Sequence, residues 1–376
     1  AQGIRKRGTG SLTRNLMKFA ALLVAVVALA HGVDAIVLQQ KSLRTRAAVS
    51  GHSPDQVPVV YIWFGDDAFP EYFDVAICAS ARFNQVAIIS SPKSRDILEK
   101  RMASREGPLT ASASFYNISE FASSSSDFFA QKGEIKYQPW GDYEPYETNC
   151  LRRFFVLNEF LKAHPAPAVL HVDSDVVVTS NATDDYEKDW ASSQCDAALI
   201  LPKQTFECMY WVGMAATAFL DAAVLSDFVG FATSLYSPKY LHVLEMKKYA
   251  KTDTSKDSPY VSDMTHWYLF ALANGFFHES TNVTSQLPVV RTKRRFCDIQ
   301  ERKRNAVYSA RSWEHQLPGF HLFSNGTTYY KDGQVDVRVR AIHFQMDGKA
   351  SLVRLFGSAC PNCSTPAQSH ALLSRT

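Results

Sequence analysis

The chain lacks the short motifs that mark several common enzyme classes. It has no G-x-S-x-G nucleophile motif, no P-loop lysine motif, no G-x-G-x-x-G dinucleotide motif and no H-E-x-x-H zinc motif. These absences argue against an α/β-hydrolase, a P-loop NTPase, a dinucleotide-dependent enzyme and a zincin protease. No internal repeat and no second domain stand out in the 376 residues, so one folded domain is the simplest organisation.

Acidic residues are almost absent from the first 49 positions. Only Asp34 opposes eight basic residues there, so this segment carries a net charge of +7, and the rest of the chain carries −4 of the total of +3. The basic character therefore belongs to the N-terminal tail. We expect no nucleic-acid binding by the folded part.

A second C-x-x-C pair is also missing. Because Cys360 and Cys363 form the only one, a four-cysteine zinc site is not predicted, and a local disulfide is favoured over free or separately paired thiols. The seven cysteines permit up to three disulfides in an oxidising compartment. Such a compartment also agrees with the five Asn-x-Ser/Thr sequons, at Asn117, Asn181, Asn282, Asn325 and Asn362.

The N-terminus has the pattern of a targeting segment. Residues 1–15 are a basic tail, which would stay cytosolic, and residues 16–38 include an unbroken apolar run at 19–30. This segment is a signal-anchor that just spans a bilayer or a signal peptide cleaved near Ala28-Leu29-Ala30. A polar stem follows at 39–56. Both interpretations place the remainder in the secretory lumen, as a type II membrane protein of the Golgi or ER or as a secreted protein.

Hydrophobic patterning predicts an α/β fold over residues 57–355, followed by a C-terminal tail at 356–376. The predicted order begins strand, helix, strand, which favours a parallel sheet with a right-handed crossover. Residues 104–133 are interpreted as a mobile loop between short helices. The other predicted elements are strands at 57–64, 86–89, 168–178, 197–201, 209–218 and 341–344, and helices at 70–83, 147–162, 219–236 and 265–272.

Two carboxylates interrupt the strand predicted at 168–178. Asp173 and Asp175 lie between hydrophobic β-formers on both sides, and residues two apart on a strand point to the same face. Two buried carboxylates are costly without a positive partner. A divalent cation that also binds a diphosphate is the expected partner, whereas a turn or cap role is the plainer alternative.

A histidine and a lysine lie near the far end of the chain. His343 is on the last predicted strand, and Lys349 follows it by six residues. An imidazole can complete the ligand shell of an ion such as Mn²⁺, and a lysine can neutralise phosphate. The alternatives are an edge-strand histidine and a solvated lysine.

Five further residues are candidates for binding a nucleotide or a sugar. Arg152 and Arg153 precede the carboxylates by about twenty residues, on a helix from which they either reach a diphosphate or form surface salt bridges. Asp263 lies at a predicted helix start, where it contacts sugar hydroxyls or caps the helix. Trp63 and Gly65 follow the first strand and pack against a nucleotide or belong to the core.

These residues resemble a known family. The order of the elements, Val-Leu-His-Val-Asp-Ser-Asp-Val-Val-Val at 169–178 and the late His-Phe-x-x-x-x-Lys at 343–349 resemble the GT-A class of nucleotide-sugar glycosyltransferases. The tail is similar to that of the glycogenin-like, retaining family 8. The resemblance covers roughly residues 57–352 and is most specific at 168–178. It implies a Rossmann-like, mixed and mostly parallel sheet flanked by helices.

The resemblance also implies roles for individual residues. Asp173 would contact ribose and metal, and Asp175 and His343 would ligate Mn²⁺ or Mg²⁺. Lys349 would hold the leaving phosphate, and Asp263 would touch the donor or the acceptor sugar. Retention of configuration is implied by the tail.

The sequence therefore predicts a metal-dependent hexosyl- or pentosyltransferase. It would move a sugar from a nucleotide-sugar donor to a glycan or glycoprotein acceptor in the secretory pathway. One alternative is a nucleotidyltransferase that makes nucleotide-sugars, against which the lumenal address argues. Another is a non-catalytic glycan-binding protein with the same fold. Manganese-dependent binding of UDP or GDP would separate these possibilities.

Overall fold

The described part of the chain begins with a strand, a helix and a second strand. β1 is Val59–Trp63, α1 is Glu71–Ala81 and β2 is Val86–Ser90. Pro70 precedes α1 in an extended conformation, and Glu71 and Asp74 place negative charge in the first helical turn, where the helix dipole favours it. β1 and β2 pair in parallel, which confirms the predicted β–α–β start.

The computed structural model describes a defined set of residues, and residues 52–376 form one compact unit. The segments predicted as the basic tail (1–15) and the anchor or signal peptide (16–38) lie outside that set, as do most of the stem and the Cys360–Cys363 pair. None of the described helices combines the length and the apolar character needed to cross a bilayer. The described residues are 55–66, 69–103, 113–132, 144–201, 213–249, 261–277, 283–299, 306–307, 310–311, 320–322, 328–332, 335–344, 349, 352–353 and 356.

Seven strands form the main sheet, in the order β3-β2-β1-β4-β7-β6-β8. Six of them run in the same direction, and β7 is antiparallel to both of its neighbours. The sheet is thus mixed and mostly parallel, and the carboxyl ends of β1 and β4 meet at one edge. The remaining bounds are β3 Ala113–Asn117, β4 Val169–Val172, β6 Ala197–Ile200, β7 Met214–Leu220 and β8 Phe296–Asp298.

Helices flank this sheet on both faces, and the sheet divides the hydrophobic core into two parts. Successive residues of β1 point to opposite faces, so Tyr61 packs in one hydrophobic cluster and Val60 in the other. The second cluster contains the aromatic side chains Phe154, Phe228 and Trp267. The other helices are α2 Pro92–Ala103, α3 Ser123–Lys132, α4 Glu144–Ala163, α5 Ala182–Asp185, α6 Ala222–Leu235, α7 Leu241–Tyr249 and α8 Asp263–Ala273.

Two small sheets complete the architecture. The first has the order β10-β14-β5, with β5 at Val176–Val178, β10 at Ala310–Arg311 and β14 at Ala341–His343. In this sheet β14 pairs antiparallel with β5, so the end of the chain returns to the strand that follows Asp175. The second has the order β11-β12-β13-β9, with β9 Ala306–Val307, β11 Phe320–Leu322, β12 Thr328–Asp332 and β13 Val335–Val339.

Two predictions about local structure are wrong, and a third has a shifted boundary. The segment 168–178 is not one strand, because a turn at 173–175 separates β4 from β5. The segment 104–133 is not a loop in its described part, since β3 and α3 occupy it. The strand predicted at 209–218 extends through Leu220, and Asp221 starts α6 by accepting a hydrogen bond from the backbone N–H of Val224 at 2.6 Å.

Cysteine pairing joins two strands of the main sheet. Cys195, just before β6, forms a disulfide with Cys297 in β8, across 102 residues of chain. Cys78 is also disulfide-bonded, whereas Cys150 is a free thiol. A disulfide that closes a long loop stabilises the fold mainly by restricting the unfolded chain.

Candidate metal centre

The two predicted carboxylates lie in the turn between β4 and β5. The Asp173 backbone N–H donates to Ala216 O at 2.9 Å, and the Val176 N–H donates back to Asp173 O at 3.0 Å. The Asp175 carbonyl accepts from the N–H of Phe344 at 2.9 Å. Backbone hydrogen bonds therefore hold the turn to β7 on one side and to the end of β14 on the other.

His343 reaches this turn through strand pairing. It lies opposite Val176 in the β14–β5 pair, and its Nε2 lies 3.1 Å from Asp175 Oδ1. Ligand atoms of Asp173, Asp175 and His343 all lie within 4.8 Å of one another. The expected convergence of these three residues is confirmed, although 168 positions separate Asp175 from His343 in the sequence.

Lys349 also contacts the turn. Its Nζ lies 3.3 Å from Asp175 Oδ2 and 5.0 Å from the centroid of the Tyr72 ring. Burial lowers the pKa of Lys349, but the charge of Asp175 and contact with Tyr72 outweigh it and raise the pKa overall. The ammonium is therefore charged and lies beside the carboxylate, as a phosphate-binding lysine at this place would.

Arg153 joins the turn to helix α8. Its guanidinium donates to Asp173 Oδ1 through Nη1 and to Asp263 Oδ2 through Nη2 at 2.7 Å. Burial alone would lower the pKa of Arg153, but the charges of Asp173 and Asp263 raise it well above its ordinary value. Arg153 thus forms a buried bridge between two carboxylates, rather than the surface salt bridge considered as the plainer alternative.

Asp263 is the first residue of α8 and does not cap it. Ser262 takes the N-cap position, and its backbone N–H donates to Thr265 Oγ1 at 3.4 Å. The carboxylate of Asp263 is therefore available to Arg153, and the helix dipole favours a negative charge at this end. The cap interpretation of Asp263 is wrong for this reason.

The carboxylates of Asp173 and Asp175 differ in their electrostatic surroundings. Burial raises the pKa of Asp173, and the adjacent Arg153 counteracts this only in part. For Asp175 burial also raises the pKa, but hydrogen bonding to His343 and the charge of Lys349 bring it below its ordinary value. Asp175 is therefore the more firmly ionised member of the pair.

His171 lies beneath the turn, two residues before Asp173 on β4. Its Nε2 is 3.9 Å from Asp173 Oδ1, and the side chain is 1% exposed. Burial and then the charge of Arg153 hold its pKa well below the ordinary value. A neutral imidazole there adds no charge to the site.

Three of the candidate residues make their described contacts elsewhere. Arg152 donates to Ser125 Oγ at 3.2 Å, and its guanidinium lies 5.2 Å from the centroid of the Phe64 ring. Trp63 packs against Phe73 with ring centroids 5.6 Å apart. A Cβ at Gly65 would come within 2.7 Å of Trp63 Nε1, so glycine lets the backbone pass over the indole. Core packing accounts for Trp63 and Gly65, and their nucleotide role stays a prediction.

Sequence reasoning missed a second group of possible ligands beside Arg153. Atoms of Glu147, Cys150 and Asp263 also lie within 4.8 Å of one another. Burial raises the pKa of the Cys150 thiol, and neighbouring carboxylates raise it further against the opposing effect of Arg153. Glu147, Cys150 and Arg153 recur at intervals of three along α4, which places them on one side of the helix. That spacing was the available signal.

The donor set fits the predicted ion. Carboxylate oxygens suit Mn²⁺ and Mg²⁺, and an imidazole is compatible with Mn²⁺. Asp175 is 8% exposed and His343 4% exposed, so both are buried acceptors whose cost an ion would offset. Lys349 and Arg153 supply positive charge next to this set.

Comparisons with known proteins leave the family open. No protein-family model matches the chain, and no curated protein matches it. A search of solved structures finds 51 matching chains. One, titled PaToxG Glycosyltransferase, has a TM-score of 0.34 and 11% sequence identity, with 67% of this chain and 81% of that chain covered. That TM-score is too low to establish a shared fold, and what this chain does must be argued from its own residues.

Proposed function

We propose that this chain is a metal-dependent glycosyltransferase of the GT-A class. It transfers a sugar from a nucleotide-sugar donor to a glycan or glycoprotein in the lumen of the secretory pathway. The observation that supports this most is the convergence of Asp173, Asp175 and His343 at one turn, with Lys349 in contact with the same turn. Ligands in α/β sheets bind outside the carboxyl ends of the strands, and this turn follows the carboxyl end of β4.

Asp173, Asp175 and His343 would hold Mn²⁺ or Mg²⁺. The bound ion would neutralise charge on the diphosphate as the bond to the sugar breaks. The residues present supply what this chemistry needs, because a divalent ion between two carboxylates leaves coordination positions for phosphate oxygens. Ion binding also explains why two carboxylates are placed in a turn that is buried at Asp175.

Lys349 stabilises the leaving group in this proposal. Its ammonium is positioned at the edge of the ion site, 3.3 Å from Asp175 Oδ2, and a charged donor aimed at a developing phosphate charge lowers the barrier to departure. Arg153 acts through other side chains, since it orients Asp173 and Asp263 toward each other. Asp263 then faces the sugar, where a carboxylate can accept hydrogen bonds from hydroxyl groups.

Nucleotide binding tests the proposal. We expect purified protein to bind UDP or GDP in isothermal titration calorimetry with Mn²⁺ and to lose this binding with EDTA. Asp175→Asn should abolish or strongly reduce it, because a neutral amide is a poor ligand for the ion. Asp184→Asn is the matched control, since Asp184 forms an exposed ion pair with Lys188.

Three outcomes separate the proposal from its alternatives. Absence of binding to every common nucleoside diphosphate with Mn²⁺ would refute it and would favour a glycan-binding protein. Release of pyrophosphate from a nucleoside triphosphate and a sugar phosphate would instead identify a nucleotidyltransferase. Donor hydrolysis or transfer that survives Asp175→Asn would remove the ion site from the mechanism.

A further inference from the structure

Tyr72 is placed beside the phosphate-binding lysine without belonging to the ion site. It lies in the first turn of α1 and packs partly against the core that surrounds β1. The Lys349 Nζ is 5.0 Å from its ring centroid. An ammonium within about 6 Å of an aromatic face is attracted by the negative charge of the ring face.

Lys349 has two competing anionic partners. The first is Asp175, at 3.3 Å from the ammonium, and the second is the diphosphate of the proposed donor. Both Asp175 oxygens are already engaged, Oδ1 by His343 and Oδ2 by Lys349. An ion that binds Asp175 therefore shares this carboxylate with Lys349 and weakens the attraction between Lys349 and Asp175.

Tyr72 is the partner that stays with Lys349 in this exchange. Its hydroxyl group hydrogen-bonds with the ammonium, its ring lies beside that ammonium, and α1 holds it through Phe73, which is fully buried next to it. We propose that Tyr72 is a positioning residue that keeps the Lys349 ammonium in the site while that ammonium passes from Asp175 to the donor diphosphate. The inference rests on the proposed function and adds a residue to it.

Two variants separate the hydroxyl group from the ring. Tyr72→Phe removes the hydrogen bond but keeps the aromatic face, whereas Tyr72→Leu removes both. Exposed cation–π pairs contribute about 0.5–1 kcal/mol, so we expect Tyr72→Leu to lose roughly two- to fivefold in affinity for UDP or GDP in the presence of Mn²⁺, and Tyr72→Phe to lose less.

A double-mutant cycle tests whether Tyr72 acts through Lys349. Calorimetric affinities for UDP and GDP with saturating Mn²⁺ are measured for Tyr72→Leu, Lys349→Met and the double variant. We expect Tyr72→Leu to have no further effect once Lys349 is methionine. Phe83→Leu is the control, because Phe83 faces another cation, Arg82, at 5.7 Å beyond the end of α1 and should not change the affinity.

Each other result counts against the inference. Additive losses would mean that Tyr72 contacts the nucleotide itself or acts through the fold. Wild-type protein that binds neither nucleotide would refute the proposed function and this inference together, whereas wild-type binding with an additive cycle would refute the inference alone.

Discussion

Replacement of Lys349 by methionine should have opposite effects on the ion and on the nucleotide. The ammonium lies 3.3 Å from Asp175 Oδ2, so it competes with a divalent ion for the negative charge of that carboxylate. At this distance the attraction is about 1 kcal/mol in a water-like dielectric and about 5 kcal/mol at an effective dielectric constant of 20. Because the Lys349 side chain is 37% exposed, solvent screening favours the low value. Removing the competitor should then tighten Mn²⁺ binding roughly fivefold.

Electron paramagnetic resonance of free Mn²⁺ measures this without any nucleotide. The affinity for Mn²⁺ should rise in Lys349→Met, while the calorimetric affinity for UDP or GDP with saturating Mn²⁺ should fall. Lys188→Met is the control for a simple change in net charge, since Lys188 pairs with Asp184 on an exposed surface. Unchanged or weaker Mn²⁺ binding in Lys349→Met would refute competition at Asp175.

Three further predictions concern the surroundings of the site. Arg153→Met should lower the free energy of unfolding by about 3–5 kcal/mol in urea titrations, because Asp173 and Asp263 lose their buried partner; a loss well under 1 kcal/mol would contradict this. The raised pKa of Cys150 keeps its thiol protonated even at pH 9, so its peptide should be alkylated far more slowly there in the folded chain than in the urea-unfolded chain, as followed by mass spectrometry. An ordinary cysteine is mostly thiolate at pH 9, and equal alkylation rates for the folded and the unfolded chain would contradict the assignment. Replacing both Cys195 and Cys297 with serine should lower the free energy of unfolding by about 2–4 kcal/mol relative to wild type under non-reducing conditions. Equal stability of the variant and the wild type would show that the disulfide does little to restrict the unfolded chain.

Local patterns predicted the start of the fold. Continuous apolar runs identified β1 and β2, and apolar residues at helical spacing identified α1. The same approach failed at β3, because Ala113–Asn117 has only half-buried residues and so lacks a strong hydrophobic signal. It also failed at α3, where four serines begin a helix whose buried residues, such as Phe128, contact α4 through Phe155. Tertiary packing, rather than local sequence, determines the secondary structure of such segments.

The candidate site shows a similar division. Side-chain type was enough to predict Asp173, Asp175 and His343 as metal ligands, since carboxylates and imidazoles bind divalent ions. The bend that brings the carboxylates together was not predicted, because hydrogen bonds from Asp173 to β7 and from Phe344 to Asp175 come from distant parts of the chain. The adjacent arginines looked equivalent in sequence, yet the rotation of about 100° per residue in a helix directs Arg152 to Ser125 and Arg153 to Asp173.

The balance of charge in the site argues for an order of binding. The carboxylates of Asp173, Asp175 and Asp263 contact the cations of Arg153 and Lys349. When all five groups are ionised they carry a net charge of −1, which disfavours a diphosphate at short range. A divalent ion changes this charge to +1 and leaves Lys349 able to turn toward phosphate. The ion should therefore bind first, and the affinity for UDP or GDP should rise with Mn²⁺ concentration until the ion site is saturated. Nucleotide affinity that is independent of Mn²⁺ would show that the carboxylates and the phosphates do not share one site.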